Sequence, residues 1–177
     1  MRECGAQHVP HPGGTLLAHL VRVERRLAEW GADDALRAAG LCHACYGTDA
    51  LHAEVLGLSR RDELAAVIGE KAERLVYGYA ACDRGHLYPQ LGRRDSVDFR
   101  DRFTGTTRQV RAARLRWFVE LTVANELDLV VHNTEFREVH GRDLLKLFSR
   151  WRDLMAPAAW EDCDQILGPE GMEEPAH

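Results

Sequence analysis

Two histidines carry the most chemistry in this sequence. His19 stands on the apolar stripe of a helix read over 15–30, three residues after Leu16 and four before Val23. His43 lies seven residues after Leu36 on the next helix, on the inward side shared with Ala39. One imidazole on an apolar face is ordinarily a hydrogen-bonded core residue. Two on consecutive antiparallel helices are how bundles assemble metal or acid–base sites from facing side chains. A third run, 117–131, is apolar nearly all round yet carries Glu120, Asn125, Glu126 and Asp128, with His132 just after it. Asn125, Asp128 and His132 follow at i, i+3 and i+7 and share one face of that helix. An unpaired buried carboxylate is costly, so at least one of these acids must meet a cation, a donor or a metal.

The elements that must position these groups are helices. Leu16, Leu20, Val23, Leu27 and Trp30 form one stripe opposite Arg22, Arg25, Arg26 and Glu29, with Thr15 as N-cap and Gly31 as stop. A second helix starts at an Asp33 or Asp34 cap and runs to about Tyr46, ended by Gly47. A short element at 51–58 follows. Ser59, with Asp62 and Glu63, opens a fourth helix, and a fifth covers about 70–82. Residues 84–107 lack any period and read as a long loop, a candidate active-site cover or a plain surface loop. Long helices are expected over 108–131 and 135–155, and a last short one over 158–167 after the break at Pro157. The fold class is therefore all-α, a compact helical bundle, with one domain over 1–168 and a frayed tail at 169–177.

Composition narrows the function classes. The 177 residues are 45% hydrophobic and 29% charged, an ordinary globular balance. With 28 acidic against 23 basic residues the formal net charge is −5, so the sequence predicts no nucleic-acid partner. No apolar run is long enough for a membrane helix and no signal-peptide layout opens the chain, which predicts a cytoplasmic protein without a membrane partner. Of the basic residues all but Lys71 and Lys146 are Arg, whose planar fork suits small anionic ligands. Five scattered cysteines read as free thiols. Cys42-His-Ala-Cys45 is a lone C-x-x-C, short of the two further ligands a structural zinc site needs. The apolar face formed by Phe136, Leu144, Leu147, Phe148, Trp151 and Leu154 suggests a homodimer.

HPGGTLLAHL, then AGLCHACYGT, IGEKAERLVYGYAACDR and LTVANELDLVVHN together resemble the HD-domain superfamily over about residues 8–135. Within it the resemblance is strongest to short uncharacterised proteins with a His-x-x-Tyr-Gly-Thr signature. It implies an HD-like helical fold in which a His, a His-Asp pair and a later Asp hold one or two divalent metals. Members include phosphohydrolases, guanosine polyphosphate hydrolases and mixed-valent diiron oxygenases. His19 matches the first metal His and His43 the His of the pair. The paired Asp is Ala44 here, and the final Asp position falls on Asn125. A dinuclear centre needs bridging carboxylates, so the expectation is at most one divalent metal (Fe, Mn or Zn) on His19, His43 and Asn125, completed by Glu126, Asp128 or Glu70.

Around it the resemblance places Tyr46 as proton donor, Thr48 in the same turn, and the Asp83-Arg84 pair. Glu126 and Asp128 complete the catalytic candidates with His43. Arg84 and Arg108, with Arg111 and Arg114, are candidates for gripping an anionic ligand. The expected function is a small-molecule enzyme of hydrolase or oxygenase type acting on a polar or anionic metabolite. A metal-free acid–base enzyme and a non-catalytic ligand-binding or regulatory module are the alternatives.

Overall fold

The computed structural model describes residues 5–47 and 56–169. Thr48 and the element expected at 51–58, as far as residue 55, lie outside them. Among the described residues there are eight α-helices and two small antiparallel sheets. The helices are α1 (Leu16–Glu29), α2 (Asp34–Cys42), α3 (Arg61–Ile68), α4 (Glu70–Ala81), α5 (Arg84–Leu87), α6 (Arg116–His132), α7 (Thr134–Trp151) and α8 (Pro157–Leu167). The strands are β1 (Pro10–His11) with β2 (Gly14–Thr15), and β3 (Ser96–Arg100) with β4 (Thr107–Arg111). Among the described residues no helix is long and apolar enough to cross a membrane.

Local chemistry accounts for the helix starts. The Thr15 hydroxyl accepts from Ala18 N, Asp33 from Leu36 N and Asn133 from Phe136 N, each satisfying a donor the first turn leaves open. Pro157 occupies the first turn of α8, where its missing N–H costs nothing. α6 is the hub. It packs against α1, α2, α4, α7 and α8, and Phe118, Leu121, Val123, Ala124, Leu127 and Val130 are buried around its circumference, which explains a sequence apolar on nearly every side. Its Glu120 accepts from Ala156 N at 2.9 Å and so caps the entrance to α8.

The segment 84–107 is not a loop. It holds α5, all of β3 and the first residue of β4. The side chain of Gln90 donates to the carbonyls of His86 and Asp98 and accepts from Asp98 N, stitching the turn after α5 to β3. Asp101 closes the hairpin turn by accepting from the backbone of Phe103 and Thr104. Val97 and Phe99 face the core while Ser96, Asp98 and Arg100 alternate outward, so the hairpin is docked and not a loose cover. The helix expected from 108 begins only at Arg116, because 107–111 pairs with β3 and Ala112–Leu115 forms a 3-10 turn. α2 likewise ends at Cys42, and His43 to Tyr46 form a turn. The fourth helix starts at Arg61, without a side-chain cap, after a 3-10 turn containing Ser59.

Gly92 marks where this docking is tightest. Its φ is +72°, and a Cβ there would lie 2.0 Å from the carbonyl oxygen of Arg150 on α7. Gly105, at the tip of the hairpin, has φ +70° with nothing within 4 Å. Gly105→Ala should therefore cost only the left-handed backbone penalty of about 1–2 kcal/mol. Gly92→Ala should cost clearly more in urea unfolding, since backbone must also move; equal losses would show that the hairpin is not clamped to α7.

Candidate functional site

The site grows from one buried carboxylate. Asp128 projects from the fourth turn of α6 and is 1% exposed. Arg22 of α1 grips it with both prongs of the guanidinium, Nε to Oδ1 at 2.6 Å and Nη2 to Oδ2 at 2.9 Å. The remaining donors of Arg22 reach the carbonyls of Gly13 and Pro12, each at 3.1 Å, and so tie down the β1–β2 hairpin. The ring of His19 adds a third bond, Nδ1 to Asp128 Oδ2 at 2.6 Å, and His132 Nε2 lies 3.6 Å from Oδ1. Burial alone would raise the Asp128 carboxyl, but the hydrogen bonds and positive charge from His19 and Arg22 outweigh it and hold the pKa at about 2.

These contacts set the proton positions. An ionised carboxylate only accepts, so Nδ1 of His19 carries its hydrogen and Nε2 points inward. There Nε2 sits 3.2 Å from Asn125 Oδ1, while Asn125 Nδ2 donates to Glu126 Oε1 at 3.2 Å. With the amide so oriented, both ring nitrogens of His19 face acceptors. Turning the amide over would aim its NH2 at a lone pair on Nε2 and its oxygen at a protonated Glu126. Burial pushes the Glu126 carboxyl up, against the opposing charge of Arg84 and the bond from Asn125.

His43 completes the group. Its ring lies edge-on to His19 at 5.3 Å between centroids and edge-on to Tyr79 at 5.5 Å. Nδ1 donates to the carbonyl of Gly40 at 2.7 Å, so Nε2 keeps the lone pair, and Asn125 lies alongside the ring. Complete burial, reinforced by the nearby His19, lowers its pKa to about 3. On the other side His11, from β1, stacks on His19 with centroids 4.1 Å apart. Burial and the neighbouring His19 lower the pKa of His11 as well. His11 was not among the residues picked out of the sequence; its hairpin is two residues per strand and leaves no periodic signal.

The other expected site residues are placed elsewhere or turned away. Tyr46 is buried, but its hydroxyl donates to Glu73 Oε1 at 3.2 Å, and Arg61 clamps that carboxylate through Nε at 2.6 Å and Nη2 at 2.9 Å. Burial and the charge of Glu73 raise its pKa, which makes it a poor proton donor. Glu126 touches Asn125 but lines a separate cavity of about 260 Å³ with Tyr88, Phe136 and His140. Arg84 packs over the ring of Tyr79 at 4.7 Å. Arg108, expected at the start of the middle helix, lies on β4 over Phe99 at 5.2 Å, with Arg111 on the same strand and Arg114 in the 3-10 turn. Glu70 pairs with Arg74 at the exposed start of α4.

The donor set does not fit a carboxylate-bound metal. Asp128, the acid nearest the histidines, is saturated by Arg22 and His19, and what remains inward is two imidazoles and a neutral amide. Among the described residues no group of three or more His, Cys, Asp or Glu side chains is arranged to hold a metal ion.

Residues 1–84 match a family described as a domain of unknown function (DUF6817). The matched stretch carries His11, His19, Arg22 and His43 and stops short of Asn125, Glu126 and Asp128. No curated protein and no solved structure matches the chain.

Two outcomes follow from this geometry. Asp128→Asn removes the charge that Arg22 and His19 both address and should cost roughly 2–3 kcal/mol in urea unfolding, below the range for fully buried pairs because Arg22 is partly exposed. A loss within about 0.5 kcal/mol would show the cluster to be structurally idle. The pH response has a definite sign. Between about 6.5 and about 3 the unfolded chain protonates His43 while the folded chain does not, so stability falls as the pH drops through that window, by up to about 1.4 kcal/mol per pH unit. The raised Glu126 carboxyl acts oppositely, stabilising at low pH and losing that contribution as pH rises. His43→Asn, which can still donate to Gly40, should flatten the fall between pH 6.5 and 4.5. An unchanged profile would mean that folded His43 already takes up a proton in that range.

Proposed function

We propose that this chain is a small-molecule enzyme on an HD-like helical scaffold, acting on a polar or anionic metabolite by acid–base chemistry without a metal. The observation that carries the reading is the buried Asp128–His19 bond of 2.6 Å. A carboxylate fixed on one ring nitrogen sets the tautomer, directs the other nitrogen inward and stabilises the imidazolium that forms when it takes a proton. His19 is the general base or acid, Asn125 orients its inward Nε2 by a hydrogen bond and is itself held by Glu126, and His43 keeps an unprotonated Nε2 as a hydrogen-bond acceptor for the substrate. His11 stacks on His19, so a substrate that approaches from that side displaces the ring from its stack.

One observation favours a second reading. A carboxylate holding Nδ1 of a histidine is also the usual outer support of a metal-bound imidazole. In that case His19, His43 and Asn125 would supply the protein donors to one divalent Fe, Mn or Zn ion, which would polarise the substrate when bound.

The test uses the purified protein and a pool of small metabolites, with depletion followed by mass spectrometry. At least one compound should be consumed by the wild type, with the rate lowered by about 100-fold or more in His19→Ala and unaltered by chelators. Chelator-sensitive turnover with stoichiometric metal would replace the acid–base reading by the metal one. Ligand-induced thermal stabilisation without turnover of any compound would make the protein a binding module.

A further inference from the structure

The charge of this chain is segregated. Between 92 and 116 there are eight arginines and three aspartates, a local excess of five positive charges in a chain whose net charge is −5. All eight arginines are exposed. Arg93, Arg94, Arg111 and Arg114 have no ion pair among the described residues, whereas Arg60, Arg61 and Arg74, at and after the start of α3, each have one. Unpaired guanidinium groups gathered on one surface repel one another and are held there only at a cost that a bound anion relieves.

The groups lie along one path. Arg93, Arg94 and Arg111 line a groove of about 760 Å³ on one flank of the β3–β4 hairpin. Arg111 also lines a second groove, of about 750 Å³, with Arg108, Arg114 and Trp117. Arg108 and Trp117 continue into a pocket of about 300 Å³ between the hairpin and α4. Trp117 is the aromatic group on this path with no guanidinium over it among the described residues; Tyr77 and Phe99 are covered by Arg61 and Arg108. Its indole lies on Gly78 of α4, where a Cβ would come within 3.0 Å of the ring, so close packing fixes the plane of the ring. A charged track ending at a fixed, half-exposed aromatic face is the arrangement that holds single strands, phosphates on the arginines and a base on the ring. A mononucleotide would fill the end pocket and leave the grooves, with most of the charge, unused.

We propose that the hairpin face binds single-stranded nucleic acid, with Arg93, Arg94, Arg111 and Arg114 on the phosphates and Trp117 stacking a base. The negative total charge, which predicts no such partner, averages over a surface that is acidic elsewhere and basic here. The inference is independent of the His19–His43 centre.

Fluorescence anisotropy with a labelled oligothymidylate of about 12 nucleotides tests it. Binding should weaken steeply between about 50 and 200 mM salt, with a log–log slope near −3 for about four neutralised phosphates, and should quench tryptophan emission. Arg111→Glu with Arg114→Glu should reduce affinity by about 100-fold or more, following the lost phosphate contacts. Trp117→Ala should cost about tenfold and Trp117→Phe much less. Arg25→Glu with Arg142→Glu, exposed and outside the grooves, changes net charge equally and should cost far less. Absence of binding at about 50 mM salt overturns the proposal. So do equal losses in the two double variants, a mononucleotide that binds as tightly, or a polyglutamate peptide that competes equally.

Discussion

The arrangement of the opening and middle helices depends on one constraint: Asp128 is an ionised carboxylate inside the core and must be neutralised there. Arg22 does so bidentately, which fixes the rotation of α1 against α6, and His19 adds a third bond at Oδ2. Removing Arg22 strands the carboxylate in a place water does not reach, so the geometry tolerates little variation. The imidazole is placed by that electrostatic requirement before any chemistry is asked of it.

The three acids of α6 show how one helix can be apolar on every side and still carry charge. Glu120 caps α8, Glu126 leans on Asn125 beside Arg84, and Asp128 faces α1. Each is matched to a different neighbour. The contacts of Glu120 and Asp128 join elements far apart in sequence, so these two carboxylates contribute to tertiary specificity more than to helix stability.

Much of this was legible in the sequence, and the failures have physical causes. The stripe through Leu16, Leu20 and Val23 locates α1 and points His19 inward, and the acids of the apolar run 117–131 require a cation or donor, which Arg22 supplies to Asp128. The misread stretch is 84–111. There Val97 and Phe99 alternate over only five residues, too short to outweigh the Gly, Pro and Asp around them, and Arg108, Arg111 and Arg114 mimic a solvated helix face while they serve a strand and a 3-10 turn. Tyr46 was read by its place in a signature; its partner, Glu73, is 27 residues away and only the fold reveals the pair.

Arg22 divides its hydrogen bonds between two tasks, the carboxylate of Asp128 and the carbonyls of Pro12 and Gly13. The hairpin those carbonyls belong to also carries His11, the ring that shields His19. Lifting the hairpin would break the two guanidinium bonds to those carbonyls and open the Asp128 pair to solvent at the same moment. Access to the interior and the strength of the electrostatic grip on His19 are in this way a single mechanical variable.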